Sequence, residues 1–309
     1  MANTAQSTDE FRFRAEEAAE FGIPLPLIPA IRVHDVDDDG RRLGVIRYGT
    51  GTPDVVFLHG AALNAHTWDA TAASLAAPAI AVDLPGHDDS EWRDDADYRP
   101  ESVSAALAPV VDRLSGRHIL VGQSLGGLAA ALLAAHDSAT TGLLLVDITP
   151  DVSKEAASPV ATFLAGPHDF ATRDEIVDGA RAAGIGVSRE SVARGVALNT
   201  RRRDDGRVVF SHHLAHLGGL QPSLTSDRTR LWNALESLSV PVWLVRAQRG
   251  FVDDALTQAF SAHLPDSRVI EIDTGHNVQE DDPVALARIV AEMSGTCNTR
   301  ITTERTTLE

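Results

Sequence analysis

The chain has 309 residues, 43% apolar and 23% charged, with a formal net charge of −17. Such a length suits one large α/β domain with an insertion, and such a composition supplies a sizeable core. The acidic balance repels phosphate backbones and anionic lipid headgroups, which argues against nucleic-acid or membrane partners and leaves a small-molecule substrate open.

Residues 1–21 are polar with five acidic side chains and lack the apolar stretch of a secretory signal. A short helix is expected over Thr8–Glu20, followed by a Pro-rich entry, so residues 1–28 read as an N-terminal extension. Ile31–Val36 and Leu43–Tyr48 read as two strands joined by the hairpin turn Asp37-Asp38-Asp39-Gly40. Val55–Leu58, Ala79–Val82, His118–Val121, Leu143–Val146, Pro241–Val245 and Arg268–Ile272 are short apolar runs, the pattern of parallel strands buried on both faces. Helix-like segments lie between them: Ser102–Leu114, Leu125–His136, Asp253–Leu264 and Pro283–Met293. The alternation predicts a doubly wound, mostly parallel α/β sheet built from residues 29–150 and 235–295. It stops across residues 151–234, which are expected to form an inserted, mainly helical cap with a hairpin in Arg203–Phe210. Residues 296–309, rich in Thr and charge, are expected to be a disordered tail. Cys297 is the lone cysteine, which excludes an intramolecular disulfide and fits a reducing cytoplasm. No apolar run approaches the roughly 18 residues of a membrane span. Whether the chain forms a homo-oligomer is open.

Chemistry enters at Gly122-Gln123-Ser124-Leu125-Gly126. As a bare pattern, Gly-x-Ser-x-Gly arises by chance in roughly one chain in ten of this length. Here an apolar strand precedes it and an Ala/Leu helix follows. That context predicts a strained turn that exposes the Ser124 hydroxyl above a helix N-terminus, with glycines preventing a helix–strand clash. An acyl-transfer oxyanion needs preorganised backbone N–H donors. Leu125, after the serine, is one candidate; Ala61, in Phe57-Leu58-His59-Gly60-Ala61-Ala62, is the other, with Ala62 second to it. His59 itself reads as a structural hydrogen-bonding residue. His276, after the last apolar strand, is positioned to act as general base.

These motifs, in this order, resemble the α/β-hydrolase fold family over most of Ile31–Met293, the cap excluded. The resemblance implies a Ser–acid–His triad, with no cofactor. The family often carries its acid after the strand Val242–Val245, but there this chain has Arg249, which cannot serve; Asp253 and Asp254 are displaced into what reads as a first helical turn. Some haloalkane dehalogenases and zearalenone lactonases place their acid at the end of the strand after the nucleophile helix, where this chain has Asp147. Asp147 is preferred and Asp253 kept as the alternative. Ala81–Ser90 is similar to the family's Asp-x-Pro-Gly-His-Gly-x-Ser turn, with Asp88 in place of a glycine and Asp83 as a structural residue.

Other signals are weaker. Asn64 and Trp68 could line the pocket, although Trp68 serves equally well as core. His212, His213 and His216 resemble metal spacing but lack a carboxylate or cysteine framework, so no metal is expected. Arg201–Arg203 precede Asp204 and Asp205 and read as an internally paired turn. The expectation is a serine hydrolase cleaving a carboxylic ester or lactone of a bulky, largely apolar small molecule. The alternatives on the same fold are a carbon–carbon bond hydrolase or a cofactor-free haloperoxidase, with a non-enzymatic ligand receptor further behind.

Overall fold

The computed structural model describes residues 10–153, 166–217, 224 and 226–306. The start of the helix expected at Thr8, parts of the cap and the last three residues of the tail lie outside them. After a first helix, α1 (Arg14–Glu20), the core strands are β1 (Ala30–Val36), β2 (Arg42–Tyr48), β3 (Val55–Leu58), β4 (Ala79–Val82), β5 (His118–Gln123) and β6 (Thr140–Val146). They stand in one eight-stranded sheet, ordered β1-β2-β4-β3-β5-β6, that ends in two later strands, Val242–Arg249 and Arg268–Gly275. β1–β2 and β2–β4 pair antiparallel and all other neighbours pair parallel.

Alternation along each strand explains the layering. Val56 and Leu58 of β3 face one apolar cluster and Val55 and Phe57 face another, because successive side chains leave opposite faces. The first cluster receives α3 (Pro100–Asp112) and α4 (Leu125–Ala134) through Val103, Leu107, Ala129 and Leu133. The second receives α2 (Asp69–Leu75) and a C-terminal helix through Ala72, Leu286 and Val290. The chain leaves β3 for β4 on one side and then crosses back to β5 on the other. The loops after β3 and β5 therefore open at the point where the strand order reverses, which is where parallel α/β sheets form their clefts.

Between β6 and the last two core strands lie β7 (Asp169–Phe170), α5 (Arg173–Ala182), α6 (Arg189–Leu198), β8 (Thr200–Arg202) and β9 (Val208–Phe210). They form a three-stranded antiparallel sheet, β7-β9-β8, and two helices around their own cluster of Ile176, Val177, Val192, Val208 and Phe210. The described part of the cap thus adds a small sheet of eight residues to its two ten-residue helices. The hairpin was legible from Asp204-Asp205-Gly206, where Gly206 takes φ 83°. The two-residue β7 was not, being too short to show a period.

Helix α7 (Arg228–Glu236) straddles the cap boundary expected at residue 234 and buries Trp232 and Leu235 in the first core cluster. Then follow β10 (Val242–Arg249), α8 (Asp254–His263), β11 (Arg268–Gly275), α9 (Val278–Asp281) and α10 (Pro283–Thr306). Helix α10 runs through most of the segment expected to be disordered. No proline interrupts it, and extending a helix already anchored by Leu286 and Val290 adds a hydrogen bond per residue without a new nucleation cost. Among the described residues no helix is long and apolar enough to cross a membrane.

Candidate active site

The elbow is built where β5 meets α4. Ser124 sits at φ 52° and ψ −122°, a conformation L-residues rarely adopt, at the N-terminal end of α4. Glycines make that turn feasible: a Cβ on Gly122 would lie 2.5 Å from the Gly126 carbonyl oxygen and 2.6 Å from Gly127 Cα. A Cβ on Gly127 would lie 2.6 Å from Ile148 Cγ2, and one on Gly126 would strike the carbonyls of Leu58 and His59. The last collision means that the helix start is pressed against the loop leaving β3.

Two buried histidines shape that loop. His59 donates from Nδ1 to the Gly60 carbonyl (2.7 Å) and accepts the Leu84 N–H at Nε2 (2.9 Å). His87 donates from Nδ1 to the Pro85 carbonyl (3.0 Å) and accepts the Ala62 N–H at Nε2 (3.0 Å). Burial pushes the His59 imidazole down to about 4; burial, aided by His59, pushes His87 down to about 3. Both are therefore neutral, as each acceptor nitrogen requires. With Ala62 committed to His87 and Leu63 donating to the Gly60 carbonyl (3.2 Å), the Ala61 N–H is left without an acceptor among the described residues. Leu125, the first residue of α4, carries an N–H that the helix itself cannot satisfy. The anion-favouring end of a helix and the β3 loop thus flank Ser124.

Asp147 ends β6 at φ 49° and is completely buried. Its Oδ2 accepts from His276 Nδ1 (2.7 Å) and the Phe251 N–H (2.7 Å); its Oδ1 accepts from the Ala247 N–H (3.1 Å) and, at 3.4 Å, the Val252 N–H. The carboxylate lies where a side chain on Gly250 would stand. The acid on β6 therefore fills a socket formed by the loop after β10, its hydrogen-bonded neighbour. Asp253 is engaged elsewhere: it caps α8, accepting the Leu256 N–H at 2.8 Å. Arg249 points outward to an exposed ion pair with Asp273.

His276 follows β11. Phe251 stacks on its ring with centroids 3.6 Å apart and planes 19° from parallel. Gln123, next to the serine, reaches the same segment, its amide donating to the His276 carbonyl (3.4 Å) and to Asn277 Oδ1 (3.3 Å). Asp147 and His276 are thus joined directly, and Ser124 is brought beside them through Gln123. The Ser124 hydroxyl makes no hydrogen bond to another described residue. Phe251 and Gly250 escaped the sequence reading because their roles depend on Asp147, a hundred positions earlier.

The remaining candidates separate clearly. Trp68 is fully buried and stacks on Phe57 (4.8 Å), so it is core. Asn64 caps a short 3-10 turn, accepting the His66 N–H, and donates to the Leu198 carbonyl at the end of α6 (2.9 Å). Asp88 stands at φ 41°, the left-handed region a glycine would fill and aspartate tolerates. Asp83 accepts the Ala65 N–H (2.6 Å) and pairs with Arg32 (2.5 Å). Arg203 pairs with Asp205 and Asp169, while Arg201 lies over the Trp92 ring. His213 bonds Tyr98 (2.7 Å) and His216 bonds the Phe210 carbonyl (2.7 Å). Among the described residues no group of three His, Cys, Asp or Glu is placed to hold a metal ion.

Comparison with known proteins agrees with this fold. A family model described as the alpha/beta hydrolase family matches residues 55–289. The chain is 37% identical over 294 residues to the esterase Rv0045c of Mycobacterium tuberculosis, covering 91% of this chain and 94% of that one. It is 26% identical to the lipase LipV of the same organism over 261 residues, covering 82% and 98%. A solved structure of the esterase Rv0045c, from a study of its transition-metal inhibition, superposes with a TM-score of 0.81 at 36% identity, covering 91% of this chain and 97% of that one.

Proposed function

The chain belongs to the alpha/beta hydrolase family, and on that premise we propose that it is a serine hydrolase of carboxylic esters or lactones, acting on a bulky, largely apolar small molecule through an acyl-enzyme. One observation carries the reading: a fully buried Asp147 carboxylate bonded at 2.7 Å to His276 Nδ1, beside a serine held at φ 52° on a helix N-terminus. With Nδ1–H donated to Asp147, the other ring nitrogen, Nε2, is the basic one. Ser124 Oγ attacks the substrate carbonyl while His276 Nε2 takes its proton. The N–H groups of Ala61 and Leu125 receive the oxyanion, and the buried carboxylate stabilises the imidazolium. His276 then protonates the departing alkoxide. A water that gives its proton to His276 attacks the acyl-enzyme, releasing the acid and restoring the serine.

The strain at Ser124 fits the same chemistry, since a backbone outlier persists only where its surroundings over-determine it. The esterase name of the relative sharing 37% of its residues supports a carboxylic-ester substrate. The position of Asp147, at the end of β6, keeps lactones in the class. In this proposal such a substrate binds between two parts, a core of residues 29–150 and 235–295 and a cap of 151–234. The test is labelling with a fluorophosphonate together with turnover of p-nitrophenyl esters and lactones. The wild-type protein is expected to be labelled and to hydrolyse members of that panel, and Ser124→Ala to lose both. Labelling that survives in Ser124→Ala would overturn the assignment.

A further inference from the structure

The segment from Ser211 to His216 is where the cap sits on the core. The His213 N–H donates to the Gly86 carbonyl (2.7 Å), and Trp92 stacks with the rings of His213 (4.5 Å) and His216 (5.0 Å). Both of those histidines hold protein hydrogen-bond partners. His212, between the same elements, does not. It is 2% exposed, and among the described residues neither Nδ1 nor Nε2 has a hydrogen-bond partner. A buried donor and acceptor left unmatched are destabilising, so native structures retain them chiefly where they serve a function.

The location of this ring gives it one. It lies 5.1 Å from the Phe210 ring on the cap side and 6.0 Å from the His87 ring on the core side. His87 is the residue that fixes the loop after β3 by accepting the Ala62 N–H, and both of its nitrogens are thereby used. His212 cannot pair with it and stands one ring away from the loop assigned to the oxyanion. Burial, reinforced by His87 and the other nearby histidines, holds its imidazole well below the usual histidine range. It is neutral and offers one N–H and one acceptor nitrogen in a site shielded from water, where a matched hydrogen bond discriminates strongly.

We propose that His212 is a specificity-determining residue: from the cap, beside the oxyanion loop, its imidazole hydrogen-bonds an oxygen function on the bound ester, so that hydroxy-, oxo- or alkoxy-substituted esters are preferred over plain alkyl esters of the same size. This rests on the esterase reading above.

Matched ester pairs test it, each differing by one oxygen function: butanoate against 3-hydroxybutanoate on the acyl side, and a butyl against a 2-methoxyethyl ester on the alcohol side, with acid release followed by titration. The wild-type enzyme is expected to favour the oxygenated member of at least one pair by tenfold or more in kcat/KM. His212→Phe and His212→Leu should both erase that ratio and leave the plain alkyl ester within about threefold of wild type. Both should melt no lower than wild type, because they remove an unmatched polar group, and both should keep fluorophosphonate labelling at Ser124. Equal rates on both members of every pair in the wild type, or the same loss on both members in the variants, would overturn the proposal. Failure of the underlying reading looks different: no ester is hydrolysed and Ser124 is not labelled.

Discussion

Asp147 occupies a place that no single stretch of sequence encodes. The residue after β6 supplies the carboxylate, the end of β10 and the loop after it supply the N–H groups of Ala247, Phe251 and Val252, and Gly250 supplies the room. Ser124 and His276 were legible because each lies within a local strand-and-turn pattern, whereas the choice between Asp147 and Asp253 required knowing which strand lies beside which. Asp147→Asn is expected to lower kcat by roughly 10³–10⁴-fold, because the amide no longer holds His276 in the Nδ1–H tautomer. Asp253→Asn should stay within about twofold, since asparagine caps a helix as well as aspartate. Steady-state kinetics on one p-nitrophenyl ester decide between the two, and the reverse ranking would move the acid to the start of α8. Gly250→Ala is the complementary change. Its methyl group would land on the Asp147 carboxylate, and displacing a catalytic group by about 1 Å costs on the order of 10²-fold in turnover. The measurement is kcat for a variant whose melting temperature is also recorded, and unchanged kcat would show that the socket tolerates a Cβ.

The N-terminal helix has its explanation at the level of elements. α1 is short, and its acids meet a single guanidinium on α6: Arg194 pairs with Glu16 (3.1 Å), Glu20 (2.5 Å) and, more loosely, Glu17 (3.8 Å). The far end of α6 accepts from Asn64, just beyond the loop after β3. A described path of contacts therefore runs from the N-terminal extension through the cap helix to the loop beside Ser124. In the sequence this was invisible, for the acids of 1–21 read equally well as a solvated face, and nothing marks Arg194 as buried. Burial, with the charge of Asp69, pushes Glu17 up to about 8 despite Arg194. A carboxyl raised in the folded state binds more protons there than in the unfolded chain, so its contribution to stability falls as pH rises from about 4.5 through 8. Arg194→Ala removes the larger of the two charges that oppose this, the other being His66. It is expected to destabilise the protein by about 1–3 kcal/mol near pH 7, toward the low end of what breaking a buried pair costs because Glu16 and Glu20 are largely solvated. The part of the loss that comes through Glu17 should grow as pH rises through 8, where that carboxyl ionises in the folded protein, and be absent toward pH 5, where it is protonated. Urea unfolding at pH 5 and 8 checks it; a loss that is larger at pH 5 would contradict the placement of Glu17.

Across the whole molecule, two buried histidines contribute to stability with opposite dependence on pH. The strands and their mostly parallel sheet were legible from short apolar runs such as Val55–Leu58, but their order and the protonation states were not, because both depend on what the fold places side by side. His87 is fully buried and pushed down to about 3. In the unfolded chain it takes a proton near 6.5, and in the folded chain it does not. Its contribution is therefore complete above 6.5 and is lost as pH falls through that range, at about 1.4 kcal/mol per pH unit. His66 is the opposite case. Burial opposes its charge, but Asp69, by charge and by hydrogen bond, and Glu10 raise it to about 10. Its contribution is complete below 6.5 and is lost as pH rises through 10. His87→Gln keeps an oxygen that can accept the Ala62 N–H but cannot titrate. Relative to wild type it should therefore gain about 2–3 kcal/mol between pH 6.5 and 4.5. His66→Gln should show its greatest deficit at pH 6 and recover relative to wild type by pH 9. Urea midpoints for the three proteins across that range test both limbs at once. Because each comparison is made against wild type at the same pH, every other titrating group cancels to first order, and a difference that does not move with pH would mean that the ring in question is not held in the protonation state its surroundings impose.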